Sequence, residues 1–303
     1  MNSRLTVVGV AAALTVALAG CSQSTGGDTA TAPIVSTNSS SLPASSPAPT
    51  PTPRLLSANN FRDLAGPDGG YTTSDGRRVR EGVLYRSNAL TTNDTDAATL
   101  DALGVKAVYD LRTTAEIGKS PDRVPAGARY TQVNIIGDAP SGTVTSSVDL
   151  STPENAAAML TEANRKFVTD PAMRAQFGVL LTDIATTDGP QIFHCTAGKD
   201  RAGWTSAVLL KIAGVDDATV MSNYLLTNEY SKDSIEASAA QVTASKGEQA
   251  GAAMKILMGV SPEFLQAGLD EVSTNFGTFD NYLTTGLGLS TDTIAALKAK
   301  LTV

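Results

Sequence analysis

The sequence predicts an α/β fold in which a central, mainly parallel sheet is flanked by helices and carries a helical insertion. Short apolar runs alternate with segments of helical period between residues 80 and 213, which is the pattern of a parallel sheet. Glycine or proline marks the ends of most of these segments. About 250 residues follow the N-terminal region, enough for one well-buried core.

The first 54 residues are expected to lie outside this fold. Arg4 precedes an apolar run, Leu5 to Gly20, that is too short to span a bilayer comfortably and is typical of a signal peptide. The residues LAGC, ending at Cys21, resemble the lipobox of bacterial lipoproteins. The resemblance implies cleavage before Cys21 and acylation at that residue, so that a lipid anchor is the only contact with the membrane. The alternative is an ordinary secretory signal with a coincidental cysteine.

A tether is predicted between this leader and the fold. From Ser22 to Pro53 the chain is mostly Ser, Thr, Ala and Pro, with one charge and no aromatic residue. Such a segment buries too little apolar surface to fold, and its prolines favour an extended spacer. We expect a signal peptide at 1–20, a tether at 21–54 and a folded domain at 55–303, on the extracytoplasmic face of the bacterial cell membrane. The net charge of −7 argues against nucleic acid as a partner.

The predicted elements of the domain follow from period and from end signals. Short β-rich runs predict strands at Arg80–Ser87, Val105–Leu111, Arg129–Ile136 and Gln191–His194. Helical spacing predicts helices at Asp94–Leu103, Pro153–Val168, Pro171–Ala185, Ala202–Ala213 and Ser290–Leu301. Gly104 and Gly214 are expected to end two of these helices in the left-handed conformation. The polar, alanine-rich segment Ser231–Gly259 is helix-like and is predicted to be the insertion.

The stretch HCTAGKDRAGW, from His194 to Trp204, joins a predicted strand to a predicted helix. Backbone N–H groups in a tight loop before a helix bind anions, because they lack partners within the helix and the helix dipole adds positive potential. Cys195 lies at the end of the strand, where the same potential favours its thiolate. If Cys21 is acylated, Cys195 has no disulfide partner, which argues for a chemical role. The plainer alternative is a buried, inert cysteine.

Arg201 closes this loop six residues after Cys195. Its planar guanidinium can bind two phosphate oxygens at once, which a lysine cannot. A thiolate held below a phosphorus atom is placed for nucleophilic catalysis through a cysteinyl-phosphate. No cofactor or metal is required, because loop N–H groups and Arg201 stabilise the charge on the phosphate oxygens.

HCTAGKDRAG is similar to the His-Cys-x5-Arg active-site loop of the cysteine-dependent protein tyrosine phosphatases. Its GKDR portion looks like the bacterial branch that acts on both tyrosine phosphates and phosphoinositides. The resemblance continues in NFRDL from Asn60, LYRS from Leu84 and DLR from Asp110. It implies a phosphatase of this fold whose partner is a phosphotyrosine protein or a phosphoinositide, with dual specificity as an option.

The resemblance also implies site residues. Cys195 matches the nucleophile and Asp200 a general acid. Asp110 is a second candidate for the acid, or a residue that orients the loop arginine, and Asp138 is a third. From the residues alone Asp200 and Asp110 stay unranked. The matching phosphate-binding residues are Thr196, Ala197, Gly198, Lys199, Asp200 and Arg201.

Other matched residues are expected to support the fold. His194 is expected to brace the loop. Arg62, Asp63 and Arg86 are expected to form internal ion pairs.

Ala202 departs from the family, in which a serine or threonine usually follows the arginine and its hydroxyl helps the sulfur to leave. Thr205 or Ser206 from the next turn is a substitute. We expect a phospho-intermediate that forms readily and breaks slowly. Two other interpretations stay open: a phosphate-binding module without turnover, and another enzyme of the cysteine–arginine type, such as a sulfurtransferase or an arsenate reductase.

Overall fold

The computed structural model describes residues 52–138 and 152–303, so the predicted signal peptide and almost all of the tether lie outside the described residues. Five strands form one sheet: β1 (Arg62–Asp63), β2 (Leu84–Ser87), β3 (Ala107–Asp110), β4 (Arg129–Gln132) and β5 (Gln191–His194). Their order is β1-β2-β5-β3-β4, and every neighbouring pair is parallel except β1 with β2. The predicted fold class is confirmed.

The strands are shorter than the sequence predicted, and the central strand explains why. β5 has four residues, and each neighbour pairs with it over those four alone: Leu84 and Ala107 lie opposite Gln191, while Ser87 and Asp110 lie opposite His194. Just beyond these points single backbone bonds continue, such as Leu111 N–H to the His194 carbonyl at 2.9 Å, but the paired register ends. Runs predicted at seven or eight residues therefore contain four-residue strands.

Eleven helices lie within the described residues. In chain order they are α1 (Asp94–Ala102), α2 (Thr114–Lys119), α3 (Pro153–Thr169), α4 (Pro171–Thr186), α5 (Arg201–Ala213), α6 (Asp217–Tyr230), α7 (Lys232–Lys246), α8 (Glu248–Met258), α9 (Pro262–Phe276), α10 (Phe279–Asn281) and α11 (Thr291–Leu301). A π-helical turn, Tyr282–Gly286, follows α10. Gly104 and Gly214 have φ of 64° and 92°, which confirms the predicted left-handed ends of α1 and α5. No helix in these ranges is long and apolar enough to cross a bilayer.

Alternate strand residues point to opposite faces of the sheet and divide the core in two. Tyr85, Val108 and Ile192 pack on one face with α1 and the segment around Leu55 and Phe61. The residues between them, among them Tyr109 and Phe193, join a larger core with α4, α5 and α11. Buried on both sides, the sheet holds the carboxyl end of β5 in a fixed position.

The predicted insertion is a pair of helices. α7 and α8 pack along each other and are separated by Gly247, whose φ of 91° suits glycine. α8 also packs against α3, and α7 against α6.

Candidate active site

The loop between β5 and α5 presents a row of free backbone donors. Within the described part of the chain, the N–H groups of residues 196 to 200 have no hydrogen-bond acceptor. They lead into the N-terminus of α5, whose dipole adds positive potential. Gly198 and Lys199 are buried, where an unpaired N–H is costly, so this row of donors indicates a site that an anion completes.

The loop carbonyls are bound from outside, which fixes the direction of those donors. Ala89 N–H donates to the Thr196 carbonyl at 3.1 Å. The Asn60 amide donates to the carbonyls of Ala197 and Gly198, both at 3.0 Å, and Arg86 Nη2 donates to Gly198 O at 2.7 Å. In a trans peptide the C=O and the following N–H point in opposite directions. Carbonyls held toward Asn60 and Arg86 therefore point the next N–H groups away from them.

Gly198 is required by both its backbone and its surroundings. Its φ is +68°, and a Cβ would lie 2.5 Å from the Ser87 carbonyl oxygen. A side chain here would push the loop away from the end of β2. The glycine lets the loop pack against the sheet edge while it turns toward α5.

Cys195 follows β5 at the base of this loop and is 2% exposed. Two arginines lie close enough to feel the charge of its thiolate, Arg86 and Arg201. Burial lowers the pKa of Arg86 to about 10, and the thiolate opposes that shift. Both cations therefore act on the sulfur, and positive neighbours of this kind are typical of reactive cysteines.

Arg201 is held by Glu116 of α2. Its Nη1 and Nη2 donate to the two Glu116 carboxylate oxygens at 2.8 and 2.6 Å, and Nη1 also donates to the Leu111 carbonyl at 3.2 Å. Burial works against the charge of Arg201, but these bonds and the Cys195 thiolate raise its pKa above the usual value. Within the described residues, Nε makes no hydrogen bond. Because Nη2 also donates to Thr196 Oγ1 at 3.4 Å, the Nε–H is the one guanidinium donor that the described part of the chain leaves for a ligand, and the predicted grip on two phosphate oxygens at once is not available in this arrangement.

Glu116 is itself fixed by the first turn of α2. Thr113 and Glu116 form a capping box, in which Thr113 N–H donates to Glu116 Oε2 at 2.9 Å. Thr196 of the loop also donates to this carboxylate. Burial would raise the pKa of Glu116, but the bonds from Arg201 and Thr196 lower it to about 2. Glu116 therefore stays charged and keeps Arg201 oriented.

Of the three candidate acids, Asp200 is the one on the loop with its carboxylate near solvent. It occupies the N-cap position of α5 without accepting a capping bond, and its side chain is 24% exposed. Lys199 Nζ donates to it at 2.9 Å while being almost buried itself. Asp138, by contrast, accepts from the N–H and hydroxyl of Thr114 at the start of α2.

The expectation that Asp110 orients Arg201 is wrong. The Asp110 carboxylate is fully buried and accepts from Arg112 at 2.8 and 2.7 Å and from the Tyr130 hydroxyl at 2.7 Å. Burial would raise the pKa of Asp110, but Arg112, His194 and Tyr130 lower it to about 2. A buried carboxylate that is hydrogen-bonded to Arg112 and Tyr130 is unsuited to proton transfer at the site.

His194 is fully buried at the end of β5 beside Asp122, and its role in bracing the loop stays a prediction, because its ring nitrogens have no hydrogen-bond partner among the described residues. Its Nε2 lies 3.0 Å from Asp122 Oδ2, and Asp122 also accepts from Arg112 and from Leu90 N–H, both at 2.8 Å. Asp110, Asp122 and His194 are close enough to share a metal ion. Because the Arg112 guanidinium already bonds both carboxylates, the residues do not fit a cation there.

Thr205 and Ser206 do not replace the hydroxyl that Ala202 lacks. Thr205 Oγ1 donates to the Arg201 carbonyl at 2.9 Å, and Ser206 Oγ donates to the Ala202 carbonyl at 2.7 Å. Each hydroxyl proton is used within the helix, so neither can be given to the sulfur at the same time. The suggested substitution from the next turn is not what the structure shows.

The expected internal ion pairs of Arg62, Asp63 and Arg86 are also absent from the described residues. Arg62 donates to both oxygens of Asn60 and to the Asn223 carbonyl, and Arg86 donates to Gly198 O and Asn223 Oδ1. Asp63 accepts from the N–H groups of Ala65 and Gly82. Burial raises the pKa of Asp63 to about 6. These residues hold the loop and the strand ends through backbone groups.

The family comparison agrees with this geometry. Residues 53–303 match the model of the tyrosine phosphatase family. The chain belongs to the tyrosine phosphatase family. It is 32% identical over 229 residues to a protein of Cupriavidus necator named as a tyrosine-protein phosphatase, covering 74% of this chain and 80% of that one. It is 32% identical over 223 residues to a tyrosine-protein phosphatase of Nostoc commune, covering 69% and 70%.

A third relative is the triple specificity protein phosphatase PtpB of Mycobacterium tuberculosis, 26% identical over 288 residues that cover 82% of this chain and 98% of that one. Membership of the family makes this chain a protein tyrosine phosphatase, a hydrolase of the cysteine-based type. The family comparison does not support the alternative interpretations as a sulfurtransferase or an arsenate reductase.

Sequence reasoning missed Glu116 and underrated Asn60. The signal for Glu116 was the spacing Thr113-x-x-Glu116, a capping box directly after the DLR motif. Asn60 was noted only as part of a motif, because a contact across 137 residues leaves no local pattern.

Proposed function

We propose that this phosphatase hydrolyses phosphomonoesters through a phosphate covalently bound to Cys195. The Cys195 thiolate attacks the phosphorus, and the bond from phosphorus to the leaving oxygen breaks as the S–P bond forms. The N–H groups of residues 196 to 200 and Arg201 Nε stabilise the phosphate oxygens. Asp200 gives its proton to the leaving oxygen.

In the second step water attacks the phosphorus and the S–P bond breaks, returning the thiolate and releasing phosphate. Asp200, now ionised, accepts the proton of the water, as microscopic reversibility requires. The residue after Arg201 is Ala202, which has no hydroxyl to assist the departing sulfur. The second step is therefore the slower one.

A single observation carries this proposal: a buried cysteine directly precedes a row of unpaired N–H groups and interacts electrostatically with two arginines. The test is steady-state hydrolysis of a phosphotyrosine peptide in EDTA by the wild-type, Cys195→Ser and Asp200→Asn chains. We expect no turnover in Cys195→Ser. For Asp200→Asn we expect a loss of about 100-fold with the peptide and a smaller loss with an aryl phosphate whose phenol leaves easily. Equal losses with both substrates would remove Asp200 as the acid.

We propose a breadth of substrates beyond phosphotyrosine, including phosphoserine, phosphothreonine or phosphoinositides. The name of the Mycobacterium tuberculosis relative, a triple specificity phosphatase, supports this breadth, as does the GKDR portion of the loop. The measurement is kcat/KM for each substrate class, with Lys199→Ala as the variant. Turnover confined to phosphotyrosine would limit the chain to one specificity.

We also propose that the chain is a lipoprotein on the extracytoplasmic face of the membrane. The LAGC stretch ending at Cys21 and the following tether-like composition support it. Metabolic labelling with an alkyne fatty acid tests it: label on the wild type and none on Cys21→Ser is the expected result. Label on both chains would contradict acylation at Cys21.

A further inference from the structure

The helical insertion encloses a pocket that the phosphatase mechanism does not use. Its volume is about 320 Å³, and its walls come from α6, α7, α8, α9 and the connection between α8 and α9. Four of the ten lining residues have large apolar side chains: Ile235, Ile256, Val260 and Phe264. Pockets of this size and character hold small organic ligands in proteins.

The pocket is held open by a specific pair of hydrogen bonds. The Asn228 amide donates to the Val260 carbonyl at 2.8 Å, and Val260 N–H donates to Asn228 Oδ1 at 2.9 Å. Gly259, next in the wall, has no side chain to fill the space, and a Cβ there would lie 3.1 Å from Asn228 Oδ1. The connection from α8 to α9 is thereby fixed to α6.

Two lysines give the pocket a positive side. Lys232 and Lys255 both line it and are exposed, and within the described residues neither ammonium has a carboxylate within 4.0 Å. Glu236 is the one acid among the lining residues. In a chain of net charge −7, two lysines without acidic partners on one apolar pocket favour an anionic ligand.

We propose that this pocket binds a single-chain anionic amphiphile such as a fatty acid. The apolar chain lies among Ile235, Ile256, Val260 and Phe264, and the anionic head group lies at Lys232 and Lys255. The volume suits one chain, because it is at the lower end of the range for ligand pockets. The apolar side chains beside the two lysines favour an amphiphile over a sugar or an inorganic phosphate.

The test is titration of the full chain with cis-parinaric acid, whose fluorescence rises when its polyene chain enters an apolar site. The double variant Lys232→Glu with Lys255→Glu removes the positive side. Lys246→Glu is the matched control, since Lys246 is an exposed lysine of α7 outside the pocket. The apolar N-terminal residues are a second place where the probe can bind. The test is therefore the difference in probe affinity between the double variant and Lys246→Glu.

We expect saturable binding to the wild type, binding about tenfold weaker in the double variant, and no more than about a twofold change in the control. The methyl ester of the probe should bind weakly to all three chains. Ile256→Asn should lower the affinity for cis-parinaric acid without changing the charge of the pocket. Circular dichroism checks that each variant is folded. Absence of saturable binding, or equal affinity in the double variant and the control, would overturn the proposal.

This binding is separate from turnover. A Cys195→Ser chain should bind the probe as tightly as the wild type, so a failure of the catalytic proposal would leave the result intact. Aryl phosphate hydrolysis by the double variant should equal that of the control in the absence of the amphiphile.

Discussion

Replacing Asn60 with alanine tests how the phosphate loop is held. The Asn60 amide supplies two of the hydrogen bonds that fix the carbonyls of Ala197 and Gly198. After the substitution, Gly198 O keeps its bond from Arg86, whereas Ala197 O loses the side-chain donor that the structure gives it. Arg62 also loses an acceptor, since Asn60 Oδ1 is gone.

The magnitude follows from these losses. A neutral hydrogen bond contributes about 1 kcal/mol net, and a buried carbonyl left without a donor costs about 1–3 kcal/mol. We expect the free energy of unfolding of Asn60→Ala to fall by about 2–3 kcal/mol. If the loop N–H groups stabilise the transition state by about 2 kcal/mol less, kcat/KM falls about 30-fold.

The assays are urea unfolding, aryl phosphate hydrolysis and inhibition by vanadate, an analogue of the transferring phosphate. Asn59→Ala is the matched control, because the Asn59 amide donates to Ser234 Oγ and does not contact the loop. We expect the control to keep kcat/KM within about twofold of wild type. A folded Asn60→Ala chain with wild-type kcat/KM and vanadate affinity would refute the account of how the loop is oriented.

Three further predictions follow from the site. Glu116→Gln should lower kcat/KM about tenfold and weaken vanadate inhibition in parallel, because the charge-assisted pair that orients Arg201 is lost; unchanged vanadate inhibition would contradict this role. Ala202→Thr should raise the steady-state rate and shrink the initial burst of phenol, since a hydroxyl would then assist the departing sulfur; unchanged burst kinetics would show that position 202 does not limit turnover. Asp63 has its pKa raised from 3.8 to about 6 in the fold, so the free energy of unfolding of the wild type should fall by about 2 kcal/mol relative to Asp63→Asn as pH rises from 4 to 7; an unchanged difference in stability between the two chains over this range would contradict it.

Local signals in the sequence predicted the fold class and the catalytic loop. A strand, a loop with glycine, and a helix are each encoded over short stretches. Gly104 and Gly214 alone were enough to predict where α1 and α5 end. The lengths of the strands could not be predicted from each run alone, because β2 and β3 pair with β5 over only its four residues. Pairing length is a property of the sheet, which a single run does not carry.

The partners of Arg201 and Asp110 show the same limit. The sequence placed Asp110 and Arg201 at one sheet edge and suggested that they meet, but Arg112, two residues after Asp110 in the bend that follows β3, donates to the Asp110 carboxylate. Arg112 therefore occupies the buried Asp110 carboxylate. Arg201 pairs instead with Glu116, from a helix whose position relative to the loop depends on the folded sheet.

The most direct test of the central claim is to trap the phosphate on the protein. The full chain is mixed with a labelled aryl phosphate in EDTA, quenched within the first turnover, and digested for mass spectrometry. We expect one phosphate on the peptide that contains Cys195, a burst of phenol equal to the amount of enzyme, and neither in Cys195→Ser. A burst without phosphate on Cys195, or phenol release by Cys195→Ser at the wild-type rate, would contradict the central claim.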